Sequence, residues 1–521
     1  MQTFQRMSPR WVGCVLAVIV ACGDDTTTGG GGSGAGASGA AGGEGGSGAM
    51  GANGGSGGDG GTGGSGGTGG LGGTGGGATG GSGGTGGGAP FVTPVPFAVP
   101  LSAAGPDQLQ SVTAGPGGTF LAAGFSSPAV GGTRTVTVVR MTPSGVDATF
   151  GLAGVASTGL VFVGGNDEID IATQSDGKII VSATVANTTV SADRDLAVTR
   201  LNADGTTDTT FGTAGIAVVN LNDAVDVNGT LTGLDQARGL AVDAMNNIFV
   251  HANSRALGTV AGGGPRTDTD FTVVKLTPGG ALATAFGTNG QFRLDIQQVN
   301  STARGIQALP NGSLLAGGYA NTPDFGTVQA VLFKLTSAGA LDATFANNGF
   351  FHDAVLATQT EIYNFALHGE NLVTAGYGRN TGDTNDYVSL RFNVSTGQRD
   401  LGWGGAVNGA VLVDPSGTML GSNAHNAIGL PGGSTVIVGS TGPNNMTTRD
   451  AVFVVLDAEG QLDTNYGSGI FVFPLGSDGS DQFWGGAVSG DNVAIVGYKG
   501  GGMMQTDLLN DDAWAVVFGV Q

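Results

Sequence analysis

From about Pro94 onward the chain repeats one pattern of apolar and polar positions. Short apolar segments alternate with turns rich in Gly, Asp, Asn and Ser. One segment is apolar on both faces and built of small residues: TFLAAGF (119–125), KIIVSA (178–183), SLLAGGY (313–319) and TVIVGS (435–440) are examples. A second often opens with Asp: DLAVTRL (195–201), DFTVVKL (270–276), DYVSLRF (386–392), DAVFVVL (450–456) and DAWAVVF (512–518). A less regular segment precedes each pair and carries Val112, Ile171, Leu240, Ile306, Phe365, Ile428 or Val488. Another follows, as in IAVVNL (216–221), QFRLDI (291–296) and IFVFPL (470–475). Four strands per unit, joined by tight turns such as Asp204-Gly205 and Glu459-Gly460, predict a four-stranded antiparallel meander. Strands apolar on both faces predict sheets packed between neighbouring sheets.

A marker lies between the third and fourth strands of a unit. It reads Asp-x-x-aromatic-Gly at Asp147–Gly151 and Asp208–Gly212, and recurs around Phe286-Gly287 and Asp342–Phe345. Weaker forms are Asp400–Gly404 and Asp463–Gly467, and the marker aromatics stand 58 to 75 residues apart. The Asp can accept backbone hydrogen bonds two residues on, and the aromatic can anchor the loop in the seam between units. A period near 60 belongs to a propeller or a similar array. Third strands number seven, but only six are followed by a marker and a fourth strand. Pro96–Leu101 resembles the fourth strand Ile470–Leu475 and would supply the missing one. The expected fold is therefore all-β: a seven-bladed β-propeller of four-stranded antiparallel blades, closed by an N-terminal strand that removes the open edge.

The repeated unit, best seen from Arg200 through Asp208 to Gly212, resembles the delta-60 repeat of bacterial surface proteins over about residues 95–521. The resemblance implies a β-propeller-like fold and brings no general enzymatic activity. The last unit lacks the marker, so the match is weakest there.

Composition agrees with strands and turns. The chain has 521 residues, with five Glu and four Lys, 103 Gly and a formal charge of -21. Scarce Glu and Lys disfavour a helical surface. The acidic balance disfavours nucleic acid as a partner.

The first 90 residues are of another kind. Arg6 and Arg10 precede an apolar run, Trp11–Ala21, of 11 residues. That is too short to span a bilayer, which takes about 20 helical residues, and describes a secretory signal over residues 1–21. Its exit, Ile19-Val20-Ala21-Cys22, resembles a lipobox, which implies lipidation of Cys22 and a membrane anchor, the outer membrane or cell surface being favoured. Residues 22–90 hold 38 of the glycines and almost no large apolar side chain, so they predict a disordered Gly/Ser/Thr/Ala-rich linker. The globular part is then 91–521. Together with the repeats, these features resemble a myxobacterial-type surface lipoprotein.

Candidate chemistry is sparse. The four His residues have no metal-ligand spacing, and no G-x-S-x-G, P-loop or H-E-x-x-H occurs. No catalytic residue, metal centre or cofactor is assigned. Two Asp-rich loops, Asp223–Gly229 and Asp383–Asp386, offer several oxygens to calcium, but neither follows an EF-hand pattern, and Asp and Asn are also the usual turn residues. Ungapped alignment on the second strands puts Gln110, Ile169, Arg238, Arg304, Ile362, His425 and Phe483 in one column of the first segment. Ser111, Asp170, Gly239, Gly305, Tyr363, Asn426 and Trp484 form the next. If the first segment is innermost, Arg238, Arg304, His425, Tyr363 and Trp484 gather at one mouth of the central channel as a candidate binding site. The competing expectation is that the cations pair with Asp107, Asp167 or Asp235. The function expected is a lipid-anchored, monomeric, non-enzymatic surface module for protein or glycan partners. The alternatives are a propeller enzyme (lyase, hydrolase or dehydrogenase) using the channel, or a spacer without a ligand.

Overall fold

The computed structural model describes residues 91–521, except 103–104, 164–166, 191, 222, 406, 418–419, 443–447, 476–478 and 502–511. The signal, Cys22 and the glycine tract lie outside the described residues. Among the described residues there are strands and short 3-10 turns, and no helix is long and apolar enough to cross a membrane.

Antiparallel four-strand units recur along the chain. In one unit Asp170–Thr173 pairs with Ile179–Ala186, which pairs with Arg194–Leu201, which pairs with Ile216–Val219. The first strands of the other units are Asp107–Ala114, Gln236–Val242, Ser301–Ala308, Asn364–His368, Gly421–Gly429 and Gly479–Ser489. Each first strand lies beside the first strand of the next unit, and Gly479–Ser489 lies beside Asp107–Ala114. At the chain's start Phe97 is opposite Ala515 and Ala98 opposite Trp514, on the strand Asp512–Gly519. Val99, Leu109 and Phe120 share a core with Ala494, Val496 and Ala515.

The core is a series of seams, each lined by facing sheets. Phe125, Val136 and Val138 of one sheet pack with Ile171, Val181 and Ala197 of the next. Sheets come close because the second strands carry small residues. A Cβ built at Gly439 would stand 2.7 Å from the Tyr387 hydroxyl of the neighbouring sheet, and one at Gly318 2.8 Å from the Phe271 ring; within their own sheets the same positions would meet the carbonyl oxygens of Asn423 at 1.9 Å and Thr302 at 2.0 Å. Glycine there lets the first strand approach its neighbour at a point where it is kinked.

The marker loop joins one unit to the next. Its Asp accepts from the amide two residues on, for example Asp208 from Thr210 at 3.1 Å, and binds a cation of the third strand, Arg200, at 2.8 Å. That guanidinium lies 4.9 Å over the Phe211 ring. The Gly212 amide donates to the Gly279 carbonyl of the following unit at 2.9 Å. A Cβ added at Gly280 would meet the Phe211 ring at 2.8 Å, so the turn glycine lies flat on the aromatic. The same pairing holds for Phe150 with Gly205, Phe286 with Gly339, Phe345 with Gly397 and Trp403 with Gly460. Marker glycines have φ near +50°, as at Gly151 and Gly212, a conformation open to glycine at little cost. Phe345 is followed instead by Ala346 at φ 45, so the one departure from the pattern carries backbone strain. Tyr466, the last marker aromatic, has a different neighbour: its hydroxyl accepts from the Gln521 amide at 3.0 Å, and Phe91 stacks edge-on to it at 5.1 Å.

Candidate functional site: a cavity ringed by β-bulges

The ladder between first and second strands slips by one residue in most units. The slips fall between Leu109 and Ser111, Ala237 and Gly239, Ala303 and Ile306, Ala424 and Asn426, and Phe483 and Gly485. In the unit of Asn364–His368, Glu361 donates to the Tyr377 carbonyl and Tyr363 to that of Ala375, yet Asn364 is already opposite Ala375. Tyr363 is thus the extra residue. A bulge leaves one residue unpaired and re-aims its side chain. Here the bulge positions carry Gln110, Arg238, Arg304, Tyr363, His425 and Trp484, with Ile169 at the matching place before Asp170. All of these line one cavity of about 220 Å³.

The five residues picked from sequence, Arg238, Arg304, Tyr363, His425 and Trp484, are therefore brought together. One detail of the alignment is corrected. Ile362 and Phe483 are not in the column of the arginines but fully buried in the seams. Tyr363 and Trp484 take the arginine column, because an ungapped alignment is blind to where the bulge falls.

The expected counter-ions are corrected in part. Among the described residues it is Glu168 that binds both arginines, through Oε1: Arg238 Nη1 at 3.3 Å, and Arg304 Nη1 closer still. Asp167 takes Arg194 at 2.7 Å and also feels the charge of Arg238, as expected, while Asp107 accepts from the Ala513 amide at 2.7 Å and Asp235 accepts from Leu221 at 2.6 Å. Glu168 was missed by sequence reasoning. Its signal was rarity, one of five Glu in the chain.

Arg304 is the hub. Its Nη2 donates to the Tyr363 hydroxyl at 2.7 Å and the Tyr319 hydroxyl at 3.2 Å, and its guanidinium lies 3.9 Å from the Tyr363 ring centre. The Tyr363 hydroxyl is 3.1 Å from that of Tyr377. His425 stacks on Trp484 with centroids 4.1 Å apart and planes at 15°, and its Nε2 is 3.2 Å from Gln482 Oε1. The Trp484 Nε1–H is shielded from water and has no hydrogen-bond partner among the described residues. Below this layer the next residues knit neighbouring units together. Asp170 accepts from Ser111 and from the Leu240 amide, and Asn364 donates to Asn426 at 3.2 Å. Burial raises the Asp170 pKa, against these lowering hydrogen bonds.

The Asp-rich loops behave as turns. Asp226 is exposed and accepts from the Gly229 amide at 2.7 Å, closing the small hairpin of Val225–Val227 and Thr230–Thr232. Asp223 is buried apart from it and accepts from the amides of Leu234 and Arg255. In the second loop Asn385 accepts from Arg379 at 2.9 Å. Burial, then Asp414 and Asp383, push the Asp386 carboxyl up to about 6. A tighter acidic group, Asp268, Asp270 and Asp295, encloses a cation of the chain's own, Arg266.

Asp235 is fully buried, and burial, then the neighbouring Asp223, raise its pKa. The folded state therefore keeps a proton that the unfolded chain loses above the ordinary carboxylate range. Its contribution to stability is complete in acid and shrinks as pH rises toward the raised value. Asp235→Asn keeps the acceptor for Leu221 and has no proton to lose. It should gain on the order of 1–3 kcal/mol over wild type at pH 8.5 relative to pH 5. Urea melts at the two pH values check this, and an unchanged difference would show an ordinary carboxylate.

Residues 174–211 and 309–345 match a family described as a domain of unknown function (DUF5122) beta-propeller. The fold is a β-propeller. Similar solved structures include a protein of unknown function from Dyadobacter fermentans, at 11% identity and TM-score 0.40, over 68% of this chain and 94% of that one. Another is the polysaccharide lyase Uly1, at 10% identity and TM-score 0.40, over 79% and 90%. A third is a glucose dehydrogenase, at 11% identity and TM-score 0.37, over 67% and 97%. No curated protein matches the chain.

Proposed function

We propose that this β-propeller is a lipid-anchored surface module that binds a ligand, without catalysis, at the bulge-ringed cavity of a seven-bladed ring. The observation that carries the reading is the convergence of Arg238, Arg304, Tyr363, His425 and Trp484 on one cavity. A bulge at the same place in successive units is a costly irregularity, and bulges of this kind stand next to sites. The ring of seven is supported by the order of first strands, by Gly479–Ser489 lying beside Asp107–Ala114, and by Phe97–Ala98 pairing with the last strand. The units are taken as delta-60 repeats on the Asp-x-x-aromatic-Gly pattern.

The anchor rests on the signal, Cys22 and the glycine tract. On its composition alone, a Gly/Ser-rich chain of about 67 residues would span roughly 45 Å as a coil, enough to hold the module away from a membrane. Cys22→Ser should abolish lipidation and move the protein out of the membrane fraction; fractionation and the mass of the mature N-terminus decide it.

The binding reading is tested by pull-down from intact cells with wild type and Trp484→Ala. Capture of the same partner by both would remove the cavity from the account. An enzyme at the same place has one observation in its favour: Tyr363, whose hydroxyl is hydrogen-bonded to Arg304, has the His425 ring edge-on to its own, with centroids 5.4 Å apart. Chemical change in a ligand incubated with wild type and not with Tyr363→Phe would favour it.

A further inference from the structure

We infer that Arg238 and Arg304 form a carboxylate clamp, and that Glu168 occupies it as a built-in stand-in for the carboxylate of a ring-sized ligand. This rests on the cavity being the binding site proposed above. Both guanidinium groups converge on the single oxygen Glu168 Oε1. The arginine side chains are 1% and 2% exposed, while Glu168 is 16% exposed. The cations are thus fixed in the wall and the anion stands on the open side. Glu168 also precedes the strand Asp170–Thr173, so its displacement breaks no ladder.

The energetics favour exchange of like for like. Loss of the anion that a buried guanidinium now binds is costly, so Glu168 leaves readily only when another carboxylate takes its place. A ligand carboxylate that replaces Glu168 keeps the charge-assisted hydrogen bonds and returns Glu168 to water. Desolvation then nearly cancels, and net affinity comes from what the rest of the ligand touches. Around the clamp stand the stacked pair His425–Trp484, the orphan Trp484 Nε1–H, and Tyr363. A cavity of about 220 Å³ is the size for a small ligand such as one six-membered ring with substituents. The shared chemistry is a carboxylate on a ring, which a sugar acid or an aromatic acid could supply.

Calorimetry on the full chain tests this with D-galacturonate, benzoate and the uncharged D-galactose. Glu168→Gln removes the competing charge and should bind galacturonate or benzoate about tenfold more tightly than wild type, with galactose unaffected. The stronger of the two carboxylates names the source. Glu168→Gln/Arg304→Met should lose the gain. Equal carboxylate affinity in wild type and Glu168→Gln, or binding of neither carboxylate to Glu168→Gln, overturns the inference. Wild type alone gives a second readout, which does not depend on any variant folding: galacturonate should raise its melting temperature more than galactose, and equal shifts overturn the inference. Galactose binding that Trp484→Ala abolishes would leave the cavity as a binding site and remove only the carboxylate clamp.

Discussion

Deleting residues 91–101 should destabilise the protein by more than any single substitution outside the seams, on the order of 5 kcal/mol. The segment contributes Val99, fully buried, and the half-buried Phe91, Phe97 and Leu101. Full burial of a large apolar side chain is worth about 1.5–3 kcal/mol, and these four are buried in whole or part. Phe91 touches the rings of Tyr466, Phe471 and Phe518 at 5.1, 5.3 and 5.7 Å, so it closes the seam that Tyr466 has no following turn to close. Total stabilities of folded domains are about 5–15 kcal/mol, which makes the loss a large fraction.

The deletion also bares an edge. Asp512–Gly519 would lose the partner that now pairs at Ala515 and Trp514, and the bond from the Val99 amide to the Ala513 carbonyl at 2.8 Å. An unpaired apolar edge invites association with another copy. Thermal melts and light scattering on the truncated chain read both effects, with deletion of residues 24–88 as the control that should change neither. In the intact chain the Val99 amide should exchange slowly with solvent. Exchange as fast as that of the glycine tract would mean the strand is not held, and the closure argument would fail with it.

The fold was legible because its determinants are local and repeated. Alternation, turn glycines and the Asp-x-x-aromatic-Gly marker each recur, so weak signals in one unit are reinforced by the next. The reason for the marker was also legible. Its Asp and aromatic were expected to brace a loop in a seam; the Asp holds the loop amide and a strand cation, and the aromatic meets the turn glycine of the next unit. The glycine–aromatic contact itself was not, because it joins residues 52 to 69 positions apart through shape rather than through residue type.

The candidate site was legible as to its residues and not as to its pairing. Arg238, Arg304 and His425 stood out by charge in a column, and Tyr363 and Trp484 were noticed one place away. The bulge that brings all five into register inserts a residue without changing composition, so an ungapped alignment placed Ile362 and Phe483 beside the arginines. Glu168 was overlooked because it lies before its strand, where no column is defined. Its neighbour Asp167 was the expected partner, and it is shared between an ion pair with Arg194 and the charge of Arg238.

Phe211→Ala should cost about 3–5 kcal/mol, the range for removing a buried ring. Phe211 is fully buried in the seam with Ile180, Val198, Leu240, Ile248 and Val250, which come from two successive units. Its loss would leave a cavity under Gly280, and Arg200 would lose the ring it now covers at 4.9 Å. The backbone offers no relaxation, since Gly212 is bonded to Gly279 on one side and Asp208 to Lys178 and Arg200 on the other. Asp208→Asn should cost less, about 1–2 kcal/mol, because the amide can still accept from Thr210 while its charge is lost to the two cations. Leu152, 86% exposed beside an equivalent loop, should tolerate Ala with no measurable change. Denaturant midpoints for the three variants rank them. If Phe211→Ala falls within about 1 kcal/mol of wild type, the aromatic is not what joins one unit to the next, and the repeat's most regular residue must be explained by something other than architecture.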